Sequence, residues 1–125
     1  MVYSRTSGGR LIKLNLTATP RIFIVNDIKI KDYGKIALDP DEMVSFITGS
    51  GREFDFIAKD WGFYATSSIN GRLQNQGFKT ALCKNLQGRI YVLAVEQEKL
   101  ELFKDYCNKQ RLTLIEWLDE YPVKE

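Results

Sequence analysis

Apolar residues alternate with polar ones in short runs along most of this chain, and only near the end does the spacing become helical. A period of two puts alternate side chains on opposite faces of a strand, whereas a period near 3.6 lines one face of a helix. Leu11, Ile12, Leu14 and Leu16 read as a first strand, RLIKLNL, which Pro20 interrupts. RIFIVNDIKI reads as a second, its Ile22–Val25 run apolar on both faces. Tyr33-Gly34 predicts a turn, and GKIAL a short strand. EMVSFIT and REFDFIA flank Gly49-Ser50-Gly51 as a hairpin, with Phe54 and Phe56 on one face and Asp55 on the other. FKTALCKN and RIYVLAVE form another hairpin around Leu86-Gln87-Gly88. From Gln97 to Gln110, Leu100, Phe103 and Cys107 fall on one helical stripe that Leu102 and Tyr106 widen. RLTLIEWL then returns as a strand or opens a short helix. The expected fold is α+β: an antiparallel-rich sheet of short strands and hairpins with one main C-terminal helix, about 97–110, packed on it. The alternative is a mostly-β barrel with one helix.

The 125 residues are near the usual size of one domain, so 1–125 reads as a single domain, with residues 1–9 a candidate flexible N-terminus. A chain of this length buries roughly two thirds of its unfolded surface and needs no disulfide staples. Its longest apolar run, Ile90–Val95, is too short to span a bilayer. The opening MVYSRTSGGR is polar and shows no apolar signal segment, so a cytoplasmic protein without membrane partners is expected.

Histidine is absent. That removes imidazole acid–base catalysis, Ser-His and Cys-His nucleophile pairs and His-ligated metals. Cys83 and Cys107 lack the spacing of a metal motif, and each sits in an apolar pattern as a small hydrophobe. No cofactor and no metal site is expected. The net charge of +2 is unevenly spread: residues 1–35 hold seven Lys/Arg against two Asp, and residues 96–125 five against eight acids. Nucleic-acid binding would need Arg5, Arg10, Lys13, Arg21, Lys29 and Lys31 to gather on one face beside aromatics. The small net charge argues against it.

The stretch KDWGFYATSSINGRL, residues 59–73, is the densest mixture of aromatic and short polar groups. Turn chemistry explains much of it: Asn70-Gly71 is a turn dipeptide, Thr66, Ser68 and Asn70 suit backbone capping, and Leu73–Gln76 suits one helical turn closed by Gly77. The functional reading makes it a ligand site. Trp61 and Tyr64 would stack on a ring, and Asp60 would accept from hydroxyls. Thr66, Ser68 and Asn70 would supply short donors and acceptors, and Arg72 would clamp an anion. GSGR, residues 49–52, resembles a phosphate loop only superficially, lacking the Lys and the following helix. Trp117, among Leu114, Ile115 and Leu118, reads as core or interface. As an edge strand, RLTLIEWL would invite pairing with a second copy, which makes a homodimer an expected partner arrangement.

The run DWGFYATSSINGRL, followed by GFKTAL and GRIYVLAVE, resembles a small family of uncharacterised bacterial proteins over residues 42–119. That family is associated with gene clusters for surface sugars of the sialic-acid type. It has no assigned activity and carries no catalytic residue over. The resemblance implies that Asp60, Trp61, Tyr64, Asn70 and Arg72 act together on a carbohydrate-related ligand. The first expectation is therefore a non-catalytic binding or accessory domain for a polar small ligand such as a sugar or nucleotide-sugar. The alternatives are a small histidine-independent enzyme, with Asp60 or Glu53 as base, Tyr64 as acid and Arg72 as anion clamp, or a nucleic-acid or protein-interaction module.

Overall fold

A computed structural model describes residues 2–5 and 11–121, so the expectation for residues 1–9 lies largely outside the described residues. The chain divides into two compact units, residues 1–43 with 58–62 and residues 44–57 with 63–125. In the first, β1 (Val2–Arg5), β2 (Leu11–Val25) and β3 (Ile28–Ala37) form an antiparallel sheet with β2 in the centre. Strand β2 runs straight through Pro20, where the sequence predicts an interruption. The reason is an irregularity in the pairing, where residues 17–20 face a single residue of β3. The ladder shifts between Leu16 and Arg21, so Pro20 lies where no paired N–H is needed.

Strand β3 likewise passes through Tyr33-Gly34 instead of turning there. Gly34 faces Leu16, and a Cβ on it would fall 1.9 Å from the Asn15 carbonyl oxygen, so a glycine is needed for backbone approach rather than for reversal. The reversal comes earlier, at Asn26-Asp27, both left-handed with φ of 48° and 66°. This two-residue hairpin divides the segment that alternation reads as one strand. Nor is the Ile22–Val25 run buried on two faces: Ile24 is 71% exposed. Arg21 lies over the Phe23 ring at 5.0 Å and pairs with Asp32 at 3.1 Å.

Strands β4 (Met43–Ile47), β5 (Glu53–Lys59) and β6 (Gly62–Tyr64) make the next sheet in that order, with Met43 and residues 58–62 counted in the first unit. The β4–β5 reversal is closed by Gly51 N–H donating to the Thr48 carbonyl at 2.9 Å and Thr48 N–H donating to that of Arg52 at 3.0 Å. On one face Phe46, Phe56 and Phe63 meet edge to face, with centroids 5.8 and 6.0 Å apart, and Phe54 meets Phe78 in the same way at 6.0 Å. Such edge-to-face contacts add to burial because ring edges are positive and faces negative.

The remaining elements are α1 (Arg72–Asn75), β7 (Phe78–Lys84), β8 (Ile90–Glu96), a 3-10 turn Gln97–Lys99, α2 (Leu100–Gln110), β9 (Thr113–Trp117) and a 3-10 turn Leu118–Glu120. Their sheet has the order β8-β7-β9, so β9 is an edge strand, and both of its ladders are antiparallel. Helix α2 stops where Arg111 turns left-handed at φ 55° and Leu112 N–H reaches back to the Cys107 carbonyl at 2.9 Å. Ala81, Cys83 and Val95 form the buried centre, packed by Leu93, Leu100, Phe103, Leu112 and Trp117. The architecture is α+β, and among the described residues no sheet closes into a barrel.

The short helix α1 is anchored by Leu73, which is 1% exposed. Leu73→Ala is expected to lower the unfolding free energy by about 2–5 kcal/mol in urea titration, since it removes buried methyls and leaves a void.

Candidate functional site

The structure distributes the predicted ligand residues between the two units. Asp60 and Trp61 form the turn between β5 and β6 and belong to the first, where Trp61 is 67% exposed. Tyr64, Thr66, Ser68, Asn70 and Arg72 belong to the second. There the Ser68 hydroxyl accepts the Arg72 N–H at 3.0 Å, and the Ser68 carbonyl accepts the N–H groups of Gly71 and Leu73. These bonds satisfy donors at the start of α1, as capping chemistry requires. The Thr66 hydroxyl donates to the Ser67 carbonyl at 3.0 Å. Asn70 is exposed in the turn before α1, and Tyr64 is exposed at the end of β6.

The Arg72 guanidinium is engaged by β5. Its Nε donates to Asp55 Oδ2 at 2.5 Å, and its Nη2 donates to Glu53 Oε1 at 3.0 Å. The Ser45 hydroxyl on β4 donates to Asp55 Oδ1 at 2.6 Å. Asp55 is 5% exposed, so its charge persists in the fold only because these donors replace water. Hydrogen bonds from Arg72 and then Ser45 hold its carboxyl below the usual carboxylate range, and Asp55 in turn raises Arg72. Sequence reasoning offered the Arg72 fork to a ligand and missed this partner. The available signal was an Asp alternating with Phe54 and Phe56, a carboxylate in an otherwise apolar strand that requires a cation.

A second arginine fastens the β4–β5 turn. Arg52 donates from Nη1 to the Gln76 carbonyl at 2.8 Å and from Nε to Glu98 at 2.7 Å. Glu96 accepts from Ser50, from Thr48 at 3.3 Å and from Lys99 at 3.0 Å. The GSGR segment is thus a hairpin turn tied by side chains to the entry of α2.

Two concavities have β7 residues in their walls. The larger is a cleft of about 720 Å³ between α2 and the β8-β7-β9 sheet. Its floor is apolar: Leu100, Phe103, Cys107, Leu112, Leu114 and Trp117. Phe103 and Trp117 meet there with centroids 5.8 Å apart. Its rim is polar: Lys79, Lys104, Asn108 and Glu120. Lys79 Nζ sits 4.8 Å from the Trp117 ring centroid, pairs with Asp119 at 3.1 Å and also with Glu120. Buried Asp119 also accepts the Thr80 N–H at 2.8 Å. Burial pulls the Lys79 pKa down, but Glu120 and Asp119 outweigh it and raise the value. Burial likewise pushes both thiols, Cys83 and Cys107, above their ordinary value. A smaller cavity of about 280 Å³ lies on the other face of β7, with Phe54, Phe56, Thr66, Leu73 and Thr80 among its walls. Sequence reasoning missed the cleft because its floor is the α2 stripe, which has the pattern of any core-facing helix.

The basic residues of the first unit do not share one face. Lys29 and Lys31 oppose Ile24 and Ile22 on one side of the β2–β3 ladder, while Arg21 and Phe23 point to the other. The side chains of Arg5, Arg10 and Lys13 lie outside the described residues. Among the described residues no group of His, Cys, Asp and Glu could hold a metal ion, and no helix is long and apolar enough to cross a membrane. Comparison with protein-family models, with curated proteins and with solved structures finds no match to this chain.

Asp55 links this network to pH. Its folded pKa is depressed, so its contribution to stability is present above the unfolded value near ~3.9 and is lost as pH falls through the folded value. Asp55→Asn is expected to lower stability at pH 7 by about 1–3 kcal/mol and to flatten the acid limb, as read by denaturant titrations between neutral and acid pH. Unchanged stability at pH 7 would mean that the ion pair contributes nothing net.

Proposed function

We propose that this chain is a non-catalytic binding domain for a small ring-bearing ligand with an anionic or hydroxylated end, and that the cleft beside α2 is its site. Sugars and nucleotide-sugars belong to this class and come first among the ligands to test. The observation that carries the reading is a concavity of about 720 Å³ with an aromatic and aliphatic floor and four polar side chains at its rim. Small-molecule sites generally combine an apolar bed with a few placed polar groups, and this volume is within their usual range.

The roles follow from the surroundings of each group. A ring would lie against Phe103 and the accessible part of Trp117, because the Lys79 ammonium already covers a face of the indole. Lys104 pairs at 3.3 Å with exposed Glu101, a surface bond weak enough to exchange for a ligand anion. Asn108 offers donors and an acceptor for hydroxyls, and Glu120 an acceptor. Binding rather than turnover is supported by the state of the reactive groups. The Lys79 pKa is raised, which holds the amine protonated, and that of Cys107 is raised, which holds the thiol protonated. Neither is poised as a base or nucleophile.

A thermal-shift screen against sugars, nucleotide-sugars and nucleotides tests the proposal. A ligand at 100 times its Kd stabilises the fold by about 2.7 kcal/mol. Lys104→Ala is expected to weaken an anionic hit about tenfold, the loss of one charge-assisted hydrogen bond, while leaving neutral hits unchanged. Leu114→Trp, which fills the cleft, should remove both. Hits that survive both changes would place the site elsewhere.

A further inference from the structure

We propose that the smaller cavity is a second binding site, built for an uncharged molecule about the size of one ring and bearing a single hydroxyl. It lies within the second unit, between the β5 phenylalanines, α1 and the β7–β8 pair, and is distinct from the cleft beside α2.

Three observations carry this. The first is the Thr80 hydroxyl. Thr80 is 2% exposed and lines the cavity, and its Oγ is the one buried side-chain polar atom among the described residues with no hydrogen-bond partner. Buried hydroxyls are almost always bonded, because leaving one unmet forfeits the bonds it had in water. The second is the wall. Phe54, Phe56, Leu73 and Val92 make it apolar, and no charged side chain lines it among the described residues. A charged ligand would find nothing to replace its hydration. The third is size. About 280 Å³ exceeds the ~150 Å³ apolar cavity that accepts benzene and falls below the ~300 Å³ at which drug-sized sites begin.

Thr80 Oγ can both donate and accept. The Thr66 hydroxyl on the same cavity donates to the Ser67 carbonyl at 3.0 Å and retains accepting capacity. A ligand hydroxyl can therefore bond to Thr80 in either sense, while its hydrocarbon body meets the phenylalanine rings.

The experiment is a methyl and amide NMR titration of the full chain with phenol and with benzene. Shifts are expected at Leu73, Thr80 and Val92, with phenol bound about fivefold more tightly than benzene, the worth of one neutral hydrogen bond. Thr80→Val keeps the shape, removes the unmet hydroxyl and folds at least as well as the parent. It should abolish the preference for phenol while retaining benzene binding. Ala94→Phe, which fills the cavity, should abolish binding of both probes. The proposal is overturned if neither probe moves these resonances in the folded parent, leaving a water-filled or empty void, or if the phenol preference survives Thr80→Val.

Discussion

Strand β7 is buried on both of its faces, and the chemistry of the second unit follows from that. A strand sends alternate side chains to opposite sides. Lys79, Ala81 and Cys83 therefore face α2, while Phe78 and Thr80 face the phenylalanine side. A central strand with its ladder bonds made on both edges tolerates few polar side chains. β7 has two toward its start, Lys79 and Thr80; Asp119 pairs with the Lys79 ammonium at 3.1 Å and accepts the backbone N–H, not the hydroxyl, of Thr80 at 2.8 Å. One buried carboxylate thus anchors two neighbouring β7 residues whose side chains point to opposite faces.

The segment before β7 obeys a related constraint. Helix α1 has a single turn and would not form alone. It is held by Leu73 beneath, by Ser68 at its start and by the ion pair from Arg72 to Asp55. A buried carboxylate stripped of its cation is far more costly than the intact pair is stabilising. The pair therefore acts mainly as a specification: it fixes which residue of α1 faces β5, and so where Leu73 and Thr66 stand as walls of the cavity. Gly77 completes the arrangement, since a Cβ there would fall 2.0 Å from Arg52 Nη1.

Much of this fold was legible in the sequence, and the failures have physical causes. The β4–β5 and β7–β8 hairpins carry alternation bounded by glycine turns, and helix α2 carries an unbroken helical spacing, so in each the signals agree with one another. In RIFIVNDIKI the decisive signal was phase. Phe23 and Val25 are odd-numbered, Ile28 and Ile30 even-numbered, so an unbroken strand would send the two pairs to opposite faces. The Asn26-Asp27 turn puts Val25 opposite Ile28 and Phe23 opposite Ile30. Tyr33-Gly34 misleads because glycine serves equally for a turn and for close approach of two strands. The composition of residues 59–73 showed polar groups that need partners, but not that Arg72 finds them on β5. The cleft was illegible for a different reason: a helix stripe that packs fully and one that leaves a groove have the same pattern.

Two tryptophans, one in each unit, make the central claim directly measurable. Trp117 lines the cleft and Trp61 lies in the aromatic stretch. Their indole N–H signals can be followed in one proton–nitrogen NMR spectrum during titration with a nucleotide-sugar that scores in the screen. The cleft account predicts a saturable shift of the Trp117 signal with Trp61 unmoved. A shift confined to Trp61, or saturation of the ligand with neither signal moving, would contradict it.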